Sequence, residues 1–183
     1  MNVKKIILFV LFSIFSLSVR AVSNYKDEPT QQASELVKKY TLSEDADKPA
    51  VLEDFDKLAR KNPENVNVIR SYTSLLASRG DYQKSLNYLE PVNRANANPS
   101  LLLQECMLKE RLGKKEDTCY QRVISESENN HIENMDYLMA LFFTNDDKFP
   151  TVKQRLLTKN PALSDDFTLF SQDKRSVLMA IYP

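Results

Sequence analysis

The sequence predicts an all-α protein built as an array of antiparallel helical hairpins. Residues 62–99 contain two helical patterns back to back, each with apolar residues three and four positions apart. Gly80, one of two glycines in the chain, separates them, and glycine adopts the left-handed conformation that ends a helix at little steric cost. Pro63 and Pro99, which lie 36 positions apart, suit the first position of a helix because no N–H donor is needed there. One hairpin therefore begins at Pro63 and the next at Pro99.

One further hairpin is predicted on each side of this one. Helices over residues 30–40 and 49–61 form a degenerate first hairpin, with apolar stripes at helical spacing. The third hairpin, residues 99–128, turns at Gly113, 33 positions after Gly80. This near-regular spacing of the two glycines predicts repetition of one structural unit.

The fourth hairpin and a final segment complete the chain. Residues 130–161 carry an unusually apolar first helix, and residues 145–147 form a turn without glycine. Residues 163–183 are shorter than one hairpin and contain a predicted last helix, residues 174–182. Because a stacked array exposes an apolar face at its end, we predict that this helix caps the array.

The hairpin of residues 62–99 resembles a tetratricopeptide repeat. The repeat length of that family is close to the spacing of the two glycines. Thr73 stands where the family usually has Gly or Ala, and in the third hairpin Glu105 stands where it prefers Leu. The resemblance implies a right-handed solenoid of about three and a half repeats. The matching residues are Ile69, Tyr72, Gly80, Asp81, Tyr82, Ser85 and Leu89.

The N-terminus predicts export. A basic start, residues 1–5, precedes a 14-residue apolar run, residues 6–19. A membrane span needs roughly 20 such residues, so the pattern favours a signal peptide, with cleavage after Ala21 or, as a second choice, after Ser23. An uncleaved anchor is the alternative. We expect a periplasmic protein of a Gram-negative bacterium, with a signal peptide over residues 1–21.

The mature chain is expected to be one domain of modest charge. Cleavage leaves 162 residues, of which 22–29 are predicted to be flexible and 30–183 to form a single domain. Basic residues fall from 25 to 22 while acidic residues stay at 25, which gives a net charge of −3. This balance argues against nucleic-acid binding, which needs a clustered basic face. The apolar run 138–143 is too short for membrane insertion.

The sequence offers no recognisable active site. His131 is the only histidine, and it is expected at the surface, at the start of a helix. One histidine and two cysteines are poor support for a metal site, and two isolated glycines cannot form a phosphate-binding loop. Asp146, Asp147, Asp165 and Asp166 are expected to cap helices. We predict no catalytic activity, no metal and no cofactor.

The two cysteines are assigned from the resemblance. In tetratricopeptide repeats the small-residue positions of the paired helices touch. Cys106 falls on the first of these positions and Cys119 falls within a residue of the second. Because an exported chain meets an oxidising space, we predict a structural disulfide between them. Two free buried thiols are the alternative.

The resemblance also implies a concave groove lined by first helices, where a protein partner binds. Arg70, Met107 and Arg111 are expected to be the members least covered by the C-terminal segment, whereas cover of Leu138 and Phe142 by that segment stays open. The candidate groove residues are Asn67, Arg70, Ser74, Leu103, Met107, Arg111, Asn134, Leu138 and Phe142.

The expected function is non-catalytic protein binding. One version is an adaptor or assembly factor of an envelope or secretion system, which binds a peptide segment in the groove. The other is an immunity protein that binds and blocks a toxin delivered to the periplasm. An adaptor should bind extended segments weakly, and an inhibitor should bind one folded enzyme tightly. The sequence predicts neither the partner nor the oligomeric state.

Overall fold

The computed structural model describes residues 27–114, 116 and 118–183, without the side chain of Leu163. The predicted signal peptide, its cleavage site and most of the predicted flexible N-terminus lie outside these residues. In the part of the chain that is described, no helix is both long and apolar enough to cross a membrane.

The described residues form an all-α fold without strands, as predicted. Two short 3-10 helical segments, Pro161–Ser164 and Asp166–Ser171, precede the last helix. The α-helices are Glu28–Leu42 (α1), Lys48–Lys61 (α2), Val66–Ser78 (α3), Tyr82–Ala95 (α4), Pro99–Arg111 (α5), Cys119–Asn129 (α6), Met135–Thr144 (α7), Phe149–Lys159 (α8) and Lys174–Ile181 (α9).

The helices pack as consecutive hairpins. Each of the first helices α1, α3, α5 and α7 contacts its own second helix, α2, α4, α6 or α8. Each second helix except α8 also contacts the first helix of the following hairpin. The first helices contact one another in order along the array. They form one continuous row, and we call the surface of this row the first-helix face.

Three hairpin turns share one local structure. Gly80, Gly113 and Asn145 have φ angles of 81°, 71° and 57°, so each adopts the left-handed conformation directly after a first helix. In each turn the amide of the next residue donates to the carbonyl five residues before it, for example from Asp81 to Leu76 at 2.9 Å. This bond satisfies a carbonyl that the helix end leaves free. The turn predicted without glycine therefore uses asparagine in the same way.

His131 does not begin a helix, contrary to expectation. It has a φ angle of 54° and follows α6, where its amide and that of Ile132 bond back to the helix. The next helix begins only at Met135, because the Asn134 side chain caps it by accepting a hydrogen bond from the Tyr137 amide at 3.0 Å. His131 thus occupies a position that glycine usually fills.

Helix α5 joins the two halves of the hydrophobic core. All residues from 101 to 108 are buried, with Leu101 and Leu108 in the N-terminal core and Leu102 and Cys106 in the C-terminal core. Glu105 is buried as well, and its carboxylate accepts from Asn93 at 2.8 Å and lies 2.8 Å from the Lys109 ammonium. Because its carboxylate has these two partners, Glu105 can be buried at the position where the resemblance implies leucine.

Cys106 of α5 and Cys119 of α6 are joined by a disulfide, with their Cα atoms 5.6 Å apart. The predicted pairing fits this arrangement, and neither thiol is free. The bond links the two helices of the third hairpin close to its turn.

The C-terminal segment covers more than the end of the array. Phe170 packs on Phe142 and Phe149 of the fourth hairpin, with ring centroids 5.2 and 5.3 Å apart. Helix α9 then packs against α5 and buries Val177 and Leu178. Residues 181–183 therefore reach the first-helix face instead of ending at the fourth hairpin.

Candidate binding site on the first-helix face

Two side chains hold the main chain of the C-terminal segment. The Nε atom of Arg111, the last residue of α5, donates to the carbonyl oxygen of Tyr182 at 2.8 Å. The hydroxyl of Tyr82, the first residue of α4, donates to a main-chain oxygen of Pro183. The Arg111 guanidinium also lies 5.2 Å from the centre of the Tyr82 ring. Two successive backbone acceptors are thus bound by donors from the second and third hairpins.

The side chain of Tyr182 lies where the two halves of the core meet, and it contacts both. Its ring is 6.3 Å from that of Tyr82, edge to face. Burial raises the pKa of Tyr182 well above the usual range of tyrosine, although the charge of Arg70 and, to a smaller extent, a hydrogen bond with Gln104 oppose this rise. Gln104 is itself fixed, because it accepts from Thr73 at 2.9 Å and donates to Ser74 at 3.3 Å.

Arg70 forms a polar cluster beside this aromatic site. One of its terminal nitrogens donates to Ser100 Oγ at 3.4 Å, and the other lies 3.6 Å from a carboxylate oxygen of Asp136. Ser100 in turn donates to Asp136. The cluster connects α3, α5 and α7. The Arg70 side chain keeps 53% of its surface exposed, so its attraction to Asp136 is partly screened by solvent.

A cavity of about 190 Å³ remains between the Arg70 cluster and Tyr182. Three methionines are among the residues that line it, and methionine is unbranched and adapts to irregular surfaces. The cavity therefore combines an adaptable apolar wall with a charged rim. Its apolar lining is Leu103, Met107, Met135, Met139 and Ile181.

The structure brings five predicted groove residues to this site. Arg70, Ser74, Leu103 and Met107 line the cavity, and Arg111 binds the C-terminal segment. The expectation that Met107 and Arg111 stand clear of that segment is wrong. Met107 is only 3% exposed, in a cavity lined also by Ile181 and Tyr182.

The other four predicted residues lie elsewhere. Asn67 donates to the Thr30 hydroxyl at 3.3 Å, and Asn134 caps α7. Leu138 is fully buried in the core, where it cannot contact a partner. Phe142 is partly buried against Phe170, which answers the open question of its cover.

Several residues of the site were not predicted. Tyr82 was predicted only as a residue that matches the repeat and Tyr182 only as part of the capping helix, although they meet 100 positions apart in the chain. Asp136 and Ser100 lie near helix starts, where local pattern predicts only capping. Each of these contacts depends on tertiary packing, so no spacing rule in the sequence could have identified it.

A second polar cluster lies around Asp56. Tyr72 and Tyr88 donate to its Oδ1 at 2.7 and 2.6 Å, and Arg60 donates to its Oδ2 at 2.6 Å. Partial burial would raise the pKa of Asp56, but the hydrogen bonds from Arg60, Tyr88 and Tyr72 outweigh it and lower the pKa to about 2. Burial and the bond to Asp56 raise the pKa of Tyr88 to about 12. The cluster joins α2, α3 and α4.

Among the described residues, no group of three or more His, Cys, Asp and Glu side chains is placed to hold a metal ion. Comparison of the chain with protein-family models, with curated proteins and with solved structures found no match.

Proposed function

We propose that the chain is an exported, non-catalytic protein-binding module, an adaptor or assembly factor that binds a partner segment on the first-helix face. The observation that carries this proposal is the binding of the main chain of Tyr182 and Pro183 by Arg111 and Tyr82. Both side chains donate to main-chain oxygens, and main-chain oxygens are present in every polypeptide. The same donors therefore suit a segment of another protein.

Packing inside the hairpins supports a tetratricopeptide-like repeat. In the second hairpin Ser85 is fully buried and donates to the carbonyl of Thr73 at 3.1 Å. In the third hairpin the corresponding contact is the disulfide between Cys106 and Cys119. Cys106 lies 33 positions after Thr73, and Cys119 lies 34 positions after Ser85. The small-residue positions thus touch in successive hairpins, as the resemblance implies.

The adaptor version is favoured by the size of the site. A cavity of about 190 Å³ beside two main-chain donors has room for one or two side chains of a short segment. Methionines on its wall allow partners of different shape. An immunity protein would instead bind a folded enzyme over a broader surface, and the experiment below separates the two.

The test uses a partner captured from periplasmic extract and then purified. Ser74 is exposed at the cavity, so Ser74→Trp should block the site without unfolding the chain. Gln121→Trp, on the exposed side of α6, is the matched control. Calorimetry should show that Ser74→Trp weakens binding by about tenfold or more while the control binds normally. Equal affinity of both variants would show that the partner docks elsewhere.

The same partner distinguishes the two functions. An adaptor should bind an isolated segment of the partner, whereas an immunity protein should bind only the folded partner and abolish its enzymatic activity. Export is tested by the intact mass of the protein in an osmotic-shock fraction. A mature chain of 162 residues agrees with cleavage after Ala21, and a full-length membrane-bound product contradicts export.

A further inference from the structure

We infer that residues 179–183 are a displaceable internal ligand of the first-helix face, and that the partner presents a segment of similar chemistry. This inference rests on the proposed function and adds the partner's chemical class. The segment should carry an aliphatic residue followed by an aromatic one, as Ile181 and Tyr182 do. Its main-chain carbonyls should accept from Arg111 and Tyr82.

The last helix divides into an anchored part and an exchangeable part. Val177 and Leu178 are 0% and 5% exposed and belong to the C-terminal core. Met179, Ala180 and Pro183 are exposed. Beyond Leu178 the segment is held mainly by the contacts of Ile181 and Tyr182 and by two main-chain hydrogen bonds. It can therefore leave its site while the rest of α9 stays in place.

The site is built for exchange rather than for permanent closure. Ile181 and Tyr182 border the cavity, and three of its other lining residues, Met107, Met135 and Met139, can change rotamer easily. Gln104 stays held by Thr73 when Tyr182 departs, so this polar group is not left without a partner. An incoming aromatic hydroxyl would find the same Gln104 side chain.

The internal segment also makes the site selective. Because it is attached to the same chain, it competes at an effective concentration on the order of millimolar. A weak segment without the aromatic residue cannot displace it. A partner that supplies the same anchors together with contacts to Arg70 and Asp136 can.

The probe for the first experiment is the peptide of residues 179–183, fluorescently labelled at its N-terminus, measured by fluorescence anisotropy. The chain that lacks residues 181–183 should bind this peptide. The intact chain should bind it at least about tenfold more weakly, because its own segment competes. A peptide with Tyr182→Ala is the control and should bind neither. Equal binding by the intact and the shortened chain, or no binding by the folded shortened chain, overturns the inference.

The second measurement uses the intact chain and so does not depend on the folding of the shortened one. The amide of Tyr182 donates to the Leu178 carbonyl at 2.9 Å. If the segment opens on its own, this amide should exchange its hydrogen at least about a hundredfold faster than the core amides of residues 102–108 of α5. Equal protection would mean that the segment leaves only on global unfolding, which contradicts the inference.

These outcomes are separable from those that test the proposed function. If the peptide fails to bind while Ser74→Trp still weakens partner binding, the binding module stands and the internal ligand does not. If the peptide binds as expected and the partner ignores Ser74→Trp, the displaceable segment stands and the partner uses another surface.

Discussion

Arg111 and Tyr182 lie 71 positions apart in the sequence and share a hydrogen bond of 2.8 Å from Nε to the carbonyl oxygen. A side chain that the sequence predicts to face a partner therefore binds the chain's own backbone. The bond draws α5 together with the residues that follow α9, and it places Tyr182 between the two halves of the core.

The first prediction concerns this bond. Arg111→Ala should lower the free energy of unfolding by about 1 to 2 kcal/mol, because a hydrogen bond from a charged donor and a contact with the Tyr82 ring are both lost. Arg122→Ala on the exposed side of α6 is the control and should change stability by less than about 0.5 kcal/mol. Urea denaturation measures both. Equal stability of the two variants would show that Arg111 contributes no more than an ordinary surface residue.

The second prediction concerns Asp56 and acid. Its carboxylate titrates near pH 2 in the folded chain and near its ordinary pKa of 3.8 when unfolded, so the unfolded state binds the proton first. The stabilisation, about 2 kcal/mol, is fully present above pH 4 and is lost as the pH falls from about 4 to 2.

Asp56→Asn should therefore be less stable than the natural chain at pH 7, and the difference should shrink towards pH 2. Urea denaturation at pH 7, 4 and 3 measures it. Tyr88→Phe removes one donor from the same carboxylate and should show a smaller effect of the same sign. A stability difference that does not change with pH would contradict the pKa shift assigned to Asp56.

The third prediction concerns the disulfide. The bond closes a loop with a sequence separation of 13, which corresponds to about 3 kcal/mol of stability because the cross-link constrains the denatured chain. Reduction should lower the melting temperature of the natural chain. It should leave a chain with both Cys106→Ala and Cys119→Ala unaffected. An unchanged melting temperature of the natural chain after complete reduction would show that the bond is dispensable.

The fourth prediction concerns the left-handed turn residues. At Gly80 a Cβ atom would meet nothing within 4 Å, so Gly80→Ala should cost only the conformational strain, about 1 to 2 kcal/mol. His131 has a side chain and adopts the same left-handed conformation, so His131→Gly should remove the conformational strain. The chain should become more stable by about 0.5 to 1 kcal/mol. A destabilising His131→Gly would mean that the imidazole makes contacts worth more than the strain.

The sequence predicts the helices well because their periodic stripes and caps are local features. The turn at Asn145 follows from the local pattern, and the pairing of Cys106 with Cys119 follows from the resemblance. His131 was misjudged because a left-handed residue other than glycine has no clear pattern in the sequence.

The candidate site was predicted only in part. The position of Arg70 or Arg111 on a first helix identifies it as a candidate, but it does not show which acceptor the arginine will bind. The partners, Asp136 and the Tyr182 carbonyl, are brought there by packing of distant helices. Leu138 was assigned to the groove by transferring the geometry of the family. Its helix is apolar on every side, so periodicity could not show that Leu138 faces the core.

The most direct test of the central claim is site-specific photocrosslinking in cells that produce the chain. A photoreactive residue at Ser74 reports on the first-helix face, and one at Gln121 reports on the exposed side of α6. We predict a discrete adduct with a partner protein from position 74, stronger when residues 181–183 are deleted, and none from position 121. Adducts from position 121 alone, or from neither position, would contradict the assignment of the first-helix face as the binding surface.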